Sequence, residues 1–197
     1  MSGIRVMTYD STDWAGGGLT KSWFAGGKLY KLFRALDVVK PVSSWREAFD
    51  WLNTVEADKK IDMWQFWGHG GPAKIYVNGE TIGQKTLSPN NEFYDDLLTL
   101  RDRLHPNSLV WFRSCEVFNG PSGKKFAKDL ADFLGCRVAA HTFIVGPFQS
   151  GLHSVRPGQG PSWPDSEGRD ASGKGKVSMP WYTNTVTCVT GNVPKGW

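Results

Sequence analysis

The sequence predicts an α/β fold: a mostly parallel sheet flanked by helices, followed by a loop-rich C-terminal β extension. Three observations predict it. Short apolar runs at Ile4–Tyr9, Ile61–Trp67 and Ser108–Phe112 alternate with amphipathic stretches of helical length, the pattern of strands joined by crossover helices. After Ser108 the run to Phe112 is apolar without interruption, and that at 61–67 is so apart from Asp62 and Gln65, as expected of strands covered on both faces. Beyond residue 146, Pro147–Val177 is rich in Gly, Pro and Ser and reads as one long loop. The expected division is therefore 1–146 for the α/β domain and 147–197 for a tail with a terminal β segment, packed on the same domain.

Taken in order, Ile4–Tyr9 alternates as a strand, and Asp10–Gly18 follows as a loop. Its Gly16-Gly17-Gly18 lacks the Lys-Ser/Thr and the spacing of a phosphate cradle. Helices are expected near Lys28–Leu36 and Ser44–Val55, the second with Ser44 as N-cap and Glu47 completing a capping box. Ile61–Trp67 is a strand stopped by Gly68-His69-Gly70-Gly71-Pro72. Lys74–Val77 and Glu80–Ile82 flank Asn78-Gly79 and form a hairpin with a type I′ turn. Asn90–Leu104 reads as helix, with His105 before Pro106 at its end. Ser108–Phe112 is a buried strand and Ser122–Leu134 a helix, with Phe126, Leu130, Phe133 and Leu134 at helical spacing. Gly135 caps that helix before a short strand, Cys136–Ala140. Trp181–Thr190 is β-rich and expected to return to the sheet edge.

Composition narrows the functional classes. With 40% hydrophobic and 21% charged residues among 197, the chain is not disordered. No apolar stretch is long enough to span a bilayer. The N-terminus, Met1-Ser2-Gly3-Ile4-Arg5, carries no secretory signal, so a cytoplasmic location is expected. The net charge is only +4, and Lys174 and Lys176 in a Gly/Ser loop are no basic stripe, which argues against nucleic acid as a partner. Cys115, Cys136 and Cys188 form no CxxC pair, so neither a disulfide framework nor a structural zinc site is expected. No cofactor is indicated. The 10 tryptophans point first to a Trp-rich core.

Two reactive side chains fall at predicted strand ends, where open α/β sheets bind ligands. His69 follows the strand 61–67, and Cys115 follows the strand 108–112. If those strands are neighbours, the imidazole and thiol converge, the arrangement that makes a sulfur nucleophile. Gly70 and Gly71 leave backbone N–H groups unshielded, and with that of Cys115 they suit a developing oxyanion. Cys136, Cys188, His105, His141 and His153 read as structural.

At these residues the chain resembles the caspase-like peptidases, which include caspases, metacaspases, legumain, gingipains and clostripain. The resemblance rests on Met63-Trp64-Gln65-Phe66-Trp67-Gly68-His69-Gly70-Gly71 and Leu109-Val110-Trp111-Phe112-Arg113-Ser114-Cys115-Glu116, with His before Cys at caspase-like spacing. Asn119-Gly120 to Gly123, Phe126-Ala127 to Leu130 and Gly135–Ala140 resemble the bacterial branch, especially an uncharacterised domain of large bacterial surface proteins. The likeness covers about 1–146. It implies a three-layer caspase-like fold and a cysteine endopeptidase, with His69 as general base or ion-pair partner and Cys115 as nucleophile. The N–H groups of Gly70 and Cys115 would form the oxyanion hole. Arg113 departs from the Gln, Glu or Asp that many relatives carry at the pocket for the residue before the cleaved bond. It implies an acidic substrate side chain, whereas Asp10 and Asp13 imply a basic one, unless Arg113 pairs with one of them. Asp165, Arg169, Asp170, Lys174 and Lys176 are candidate self-processing points.

The expected partner is thus a protein or peptide substrate, in a role such as bacterial defence or a toxin. Two alternatives stand beside it: an inactive binding module with a crevice lined by Trp64, Trp67, Trp111 and Trp181, and a dyad-dependent amidase on a non-protein substrate.

Overall fold

A computed structural model of the chain describes residues 3–16, 18–32 and 35–197, apart from the Leu29 side chain. Its strands are β1 (Ile4–Asp10), β2 (Val38–Val42), β3 (Ile61–Trp67), β4 (His69–Gly71), β5 (Lys74–Val77), β6 (Glu80–Gly83), β7 (Leu109–Arg113), β8 (Arg137–His141), β9 (Phe148–Gln149), β10 (Leu152–Val155) and β11 (Val186–Thr187). The helices are α1 (Leu19–Leu32), α2 (Trp45–Thr54), α3 (Tyr94–Arg103) and α4 (Gly120–Leu134). Six strands make the central sheet in the order β10-β8-β7-β3-β1-β2. All its neighbours pair parallel except β10, which runs antiparallel to β8.

The chain goes outward from β1 to β2, then crosses back over β1 to β3, β7 and β8. Reversing direction with crossovers of one hand puts α1 on one face and α2, α3 and α4 on the other. Alternation along the strands supplies both cores. Trp64 and Phe66 of β3 join Phe49 of α2, Leu97 of α3 and Phe126 of α4, while Met63 and Trp67 join Trp23 and Tyr30 of α1. One helix cannot cover a six-stranded face, and the C-terminal tail completes it with Val186 and Val193. Buried polar groups of the sheet hold the tail: Gln65 donates to the Gly191 carbonyl at 3.0 Å, and Tyr30 to that of Thr190 at 3.1 Å.

Local signals behave as expected where they are strong. The Ser44 hydroxyl caps α2 by accepting the Glu47 N–H at 3.1 Å, and the Glu47 carboxylate accepts from Ser43. Asn78 and Gly79 turn the β5–β6 hairpin with φ of 49° and 80°, as a type I′ turn requires.

Four expectations are corrected. The first helix starts at Leu19, not near Lys28. Its Gly26-Gly27, poor helix formers, are a close-packing point: a Cβ on Gly27 would lie 2.9 Å from Val39 Cγ1. β2 was not expected, because Pro41 interrupts a short run; proline is tolerated there because β2 is an edge strand. Pro147–Val177 is not one loop, since it contains β9 and β10, and β10 belongs to the central sheet. The terminal β segment pairs with β9 in a separate small sheet, although the Gly151 and Leu152 N–H groups donate to Thr183 and Asn184 beside β10.

Candidate active site at the carboxyl ends of β3 and β7

β3 and β7 are adjacent and parallel, with Trp67 opposite Arg113, so the chain leaves both strands at one rim. His69-Gly70 leaves β3 there and Ser114-Cys115 leaves β7. The two turns touch. A Cβ on Gly70 would lie 2.7 Å from the Cys115 carbonyl oxygen and 2.8 Å from Ser114 Cβ, a separation only glycine permits. The two sequence-predicted segments therefore meet through their backbones.

His69 sits in β4 opposite Tyr76. Its Nε2 is buried and has no hydrogen-bond partner. Trp14, from the loop after β1, and Trp23, from α1, both stand edge-on to the imidazole with centroids 5.9 and 5.4 Å away. The strand order reverses at β1 and β3, the place where open α/β sheets bind ligands, and His69 follows β3 there. The aromatic walls carried no spacing signal in the sequence.

Cys115 is partly buried, with its Sγ 3.9 Å from the Val145 carbonyl. Burial pushes the thiol above its usual value and the neighbouring Glu116 charge adds to this, while the residue's own N–H pulls the other way. The resting group is therefore a neutral thiol. Among the described residues the Cys115 N–H donates to no backbone carbonyl. Glu116 has φ of 59°, and burial raises its carboxyl against the opposing pull of Arg169. The segment 165–177 closes over this side: Arg169 Nε donates to Asn119, whose amide donates to the Thr142 carbonyl at 2.6 Å.

The remaining predicted site residues are committed elsewhere. Arg113 is 2% exposed, since alternation sends it to the α1 face with Trp111. It donates to Gln149 at 2.9 Å, to Tyr30 at 2.9 Å, to the Thr190 carbonyl at 2.5 Å and to that of Thr187 at 2.9 Å. Its guanidinium also lies 4.1 Å from the Trp111 ring centroid. Among the described residues it makes no ion pair with Asp10 or Asp13. Asp10 accepts from Thr12 and, at 3.2 Å, from the Asn78 N–H, and so ties the first loop to the hairpin. Asp13 has φ of 51° and accepts the Gly18 N–H at 3.2 Å; its Oδ1 is buried without a partner.

The Trp-lined crevice is not formed. Trp64 and Trp111 are buried on opposite faces of the sheet, because one lies at an even and the other at an odd position in adjacent registered strands, and Trp181 is exposed. Among the candidate processing points Asp165, Asp170 and Lys174 are exposed, whereas Arg169 is held on Asn119. Among the described residues, no three His, Cys, Asp or Glu side chains are grouped to hold a metal ion, and no helix is long and apolar enough to cross a membrane.

A family model described as a domain of unknown function, DUF4347, matches residues 38–153, a span that runs from β2 into β10 and includes both His69 and Cys115. No curated protein matches the chain.

Proposed function

The chain belongs to the DUF4347 family, and from the site that family segment carries we propose that it is a cysteine endopeptidase working through His69 and Cys115. The observation that carries this reading is the contact of Gly70 with Ser114 and Cys115, which brings an imidazole with a buried, unpartnered Nε2 to the rim where the thiol lies. The strand order, with its antiparallel sixth strand, suits the caspase-like resemblance.

Because the resting thiol is neutral, His69 acts as general base rather than as a preformed ion-pair partner. It takes the Cys115 proton as sulfur bonds to the substrate carbonyl carbon. The carbonyl electron pair moves to oxygen, which the N–H groups of Gly70 and Cys115 receive. The imidazolium returns its proton to the departing amine as the C–N bond breaks, and water, deprotonated by His69, then hydrolyses the thioester. Held by Gln149, Tyr30 and the tail, the Arg113 guanidinium is not free to favour an acidic side chain in the substrate.

Incubation with a mixed peptide library tests this. Products are expected from the wild type and from neither Cys115→Ala nor His69→Ala. Cleavage that survives Cys115→Ala overturns the reading. The raised thiol favours a second reading, a binding module without turnover, which predicts tight retention of peptides with no Cys115-dependent product.

A further inference from the structure

A second concavity lies away from His69 and Cys115. It is a cleft of about 770 Å³, within the range of small-molecule sites. It opens where β8 begins and β10 ends, at the amino ends of the parallel strands, whereas the dyad follows their carboxyl ends. Three cations line it, one from each of three separate segments: Arg137 at the start of β8, Arg156 just after β10 and Lys195 in the tail.

Among the described residues no side-chain carboxylate pairs with them. Glu167 lines the same cleft, but its carboxylate is paired with His153 and accepts from Thr142 at 2.9 Å and Thr183 at 3.1 Å. Arg137 donates to the Ser154 hydroxyl at 2.8 Å and to the main-chain oxygen of Trp197, which orients one guanidinium edge. Burial and the nearby Arg156 charge both hold Arg137 below its ordinary value; like charges held together in a partly desolvated cleft are stabilised by an anion between them.

We propose that this cleft binds a small organic polyanion, whose phosphate or carboxylate oxygens are received by Arg137, Arg156 and Lys195. Nucleic acid does not fit: a concave site with three cations on a chain of net charge +4 gives too few phosphate contacts for a polymer. The proposal is independent of the dyad.

Calorimetric titration at constant ionic strength with inorganic pyrophosphate and with citrate tests it. Saturable one-to-one binding of at least one is expected, and the tighter of the two identifies phosphate or carboxylate as the recognised group. Arg156 and Lys195 are exposed, so the double variant Arg156→Gln, Lys195→Gln is expected to fold as the wild type, shown by an unchanged urea midpoint, and to bind about tenfold more weakly. Failure of both anions to bind, heats reproduced by sodium chloride at matched ionic strength, or unchanged affinity in the folded double variant overturns the proposal.

Discussion

Arg113 donates through Nη1 to the Tyr30 hydroxyl at 2.9 Å, joining β7, the strand that leads to Cys115, to α1. The same guanidinium holds the Thr187 and Thr190 carbonyls, so strand, helix and tail share one buried cation. Burial brings Arg113 down to about 10, still charged at neutral pH.

Arg113→Met removes that cation and leaves Gln149, Tyr30 and two carbonyls short of a donor. It is expected to destabilise the fold by about 3 kcal/mol. Urea unfolding measures it; an unchanged midpoint would mean that the tail is held by its apolar contacts alone.

Gly70 and Gly71 are predicted to differ sharply. A Cβ at Gly70 meets the Cys115 carbonyl at 2.7 Å, while one at Gly71 first meets the Tyr76 hydroxyl at 3.6 Å. Gly70→Ala must shift the two turns apart and is expected to lower kcat/KM about a hundredfold. Gly71→Ala should stay within a few-fold of wild type. Equal activity in both variants would remove the contact from the account.

His141 is fully buried and pulled down to about 3, first by desolvation and then by the Arg113 charge. It accepts from Trp111 Nε1 at 3.3 Å and lies 3.2 Å from the Ser150 carbonyl, as a neutral ring. The unfolded chain protonates this group near 6.5 while the folded one does not. Its contribution to stability is therefore complete above pH 6.5 and is lost as pH falls toward 3, by up to about 1.4 kcal/mol per pH unit. Unfolding free energies measured between pH 7 and 4 should show that slope, and His141→Asn should flatten it. A wild-type curve level across this interval contradicts a neutral buried ring.

The Cys115 thiol, raised by burial and by Glu116, should react with iodoacetamide at neutral pH more slowly than a free thiol, because only the thiolate attacks. Removing the neighbouring charge lowers the thiol, so Glu116→Gln should speed alkylation. Mass spectrometry of the labelled peptide gives both rates. Slower labelling in Glu116→Gln would reverse the assigned sign.

The meeting of the His69 and Cys115 segments at one rim was legible because each ends a strongly apolar run. His69 follows Ile61–Trp67, and Cys115 follows Leu109–Phe112 after two further residues, so strand ends could be located without knowing the neighbours. The Asn78-Gly79 turn was legible for the same reason: its chemistry is local. What escaped depends on contacts between distant segments. Gly26-Gly27 breaks a helix in isolation, yet Val39 and Trp67 pack against it. β10 lies in a Gly- and Pro-rich stretch and becomes a strand by pairing with β8. Arg113 was a candidate for a substrate pocket by position, but only the tail's path over it determines that its donors are used internally. Trp14 had no periodicity to mark it and became visible only where the first loop meets His69.

The direct test of the dyad is covalent capture of the protein by a peptidyl acyloxymethyl ketone, followed by intact mass and peptide mapping in the wild type and in His69→Ala. A base-assisted thiol predicts a single adduct on Cys115 whose rate of formation collapses in His69→Ala, with Cys136 and Cys188 unmodified. Capture at Cys115 that proceeds equally fast without the imidazole, or adducts that fall equally on Cys188, would contradict it.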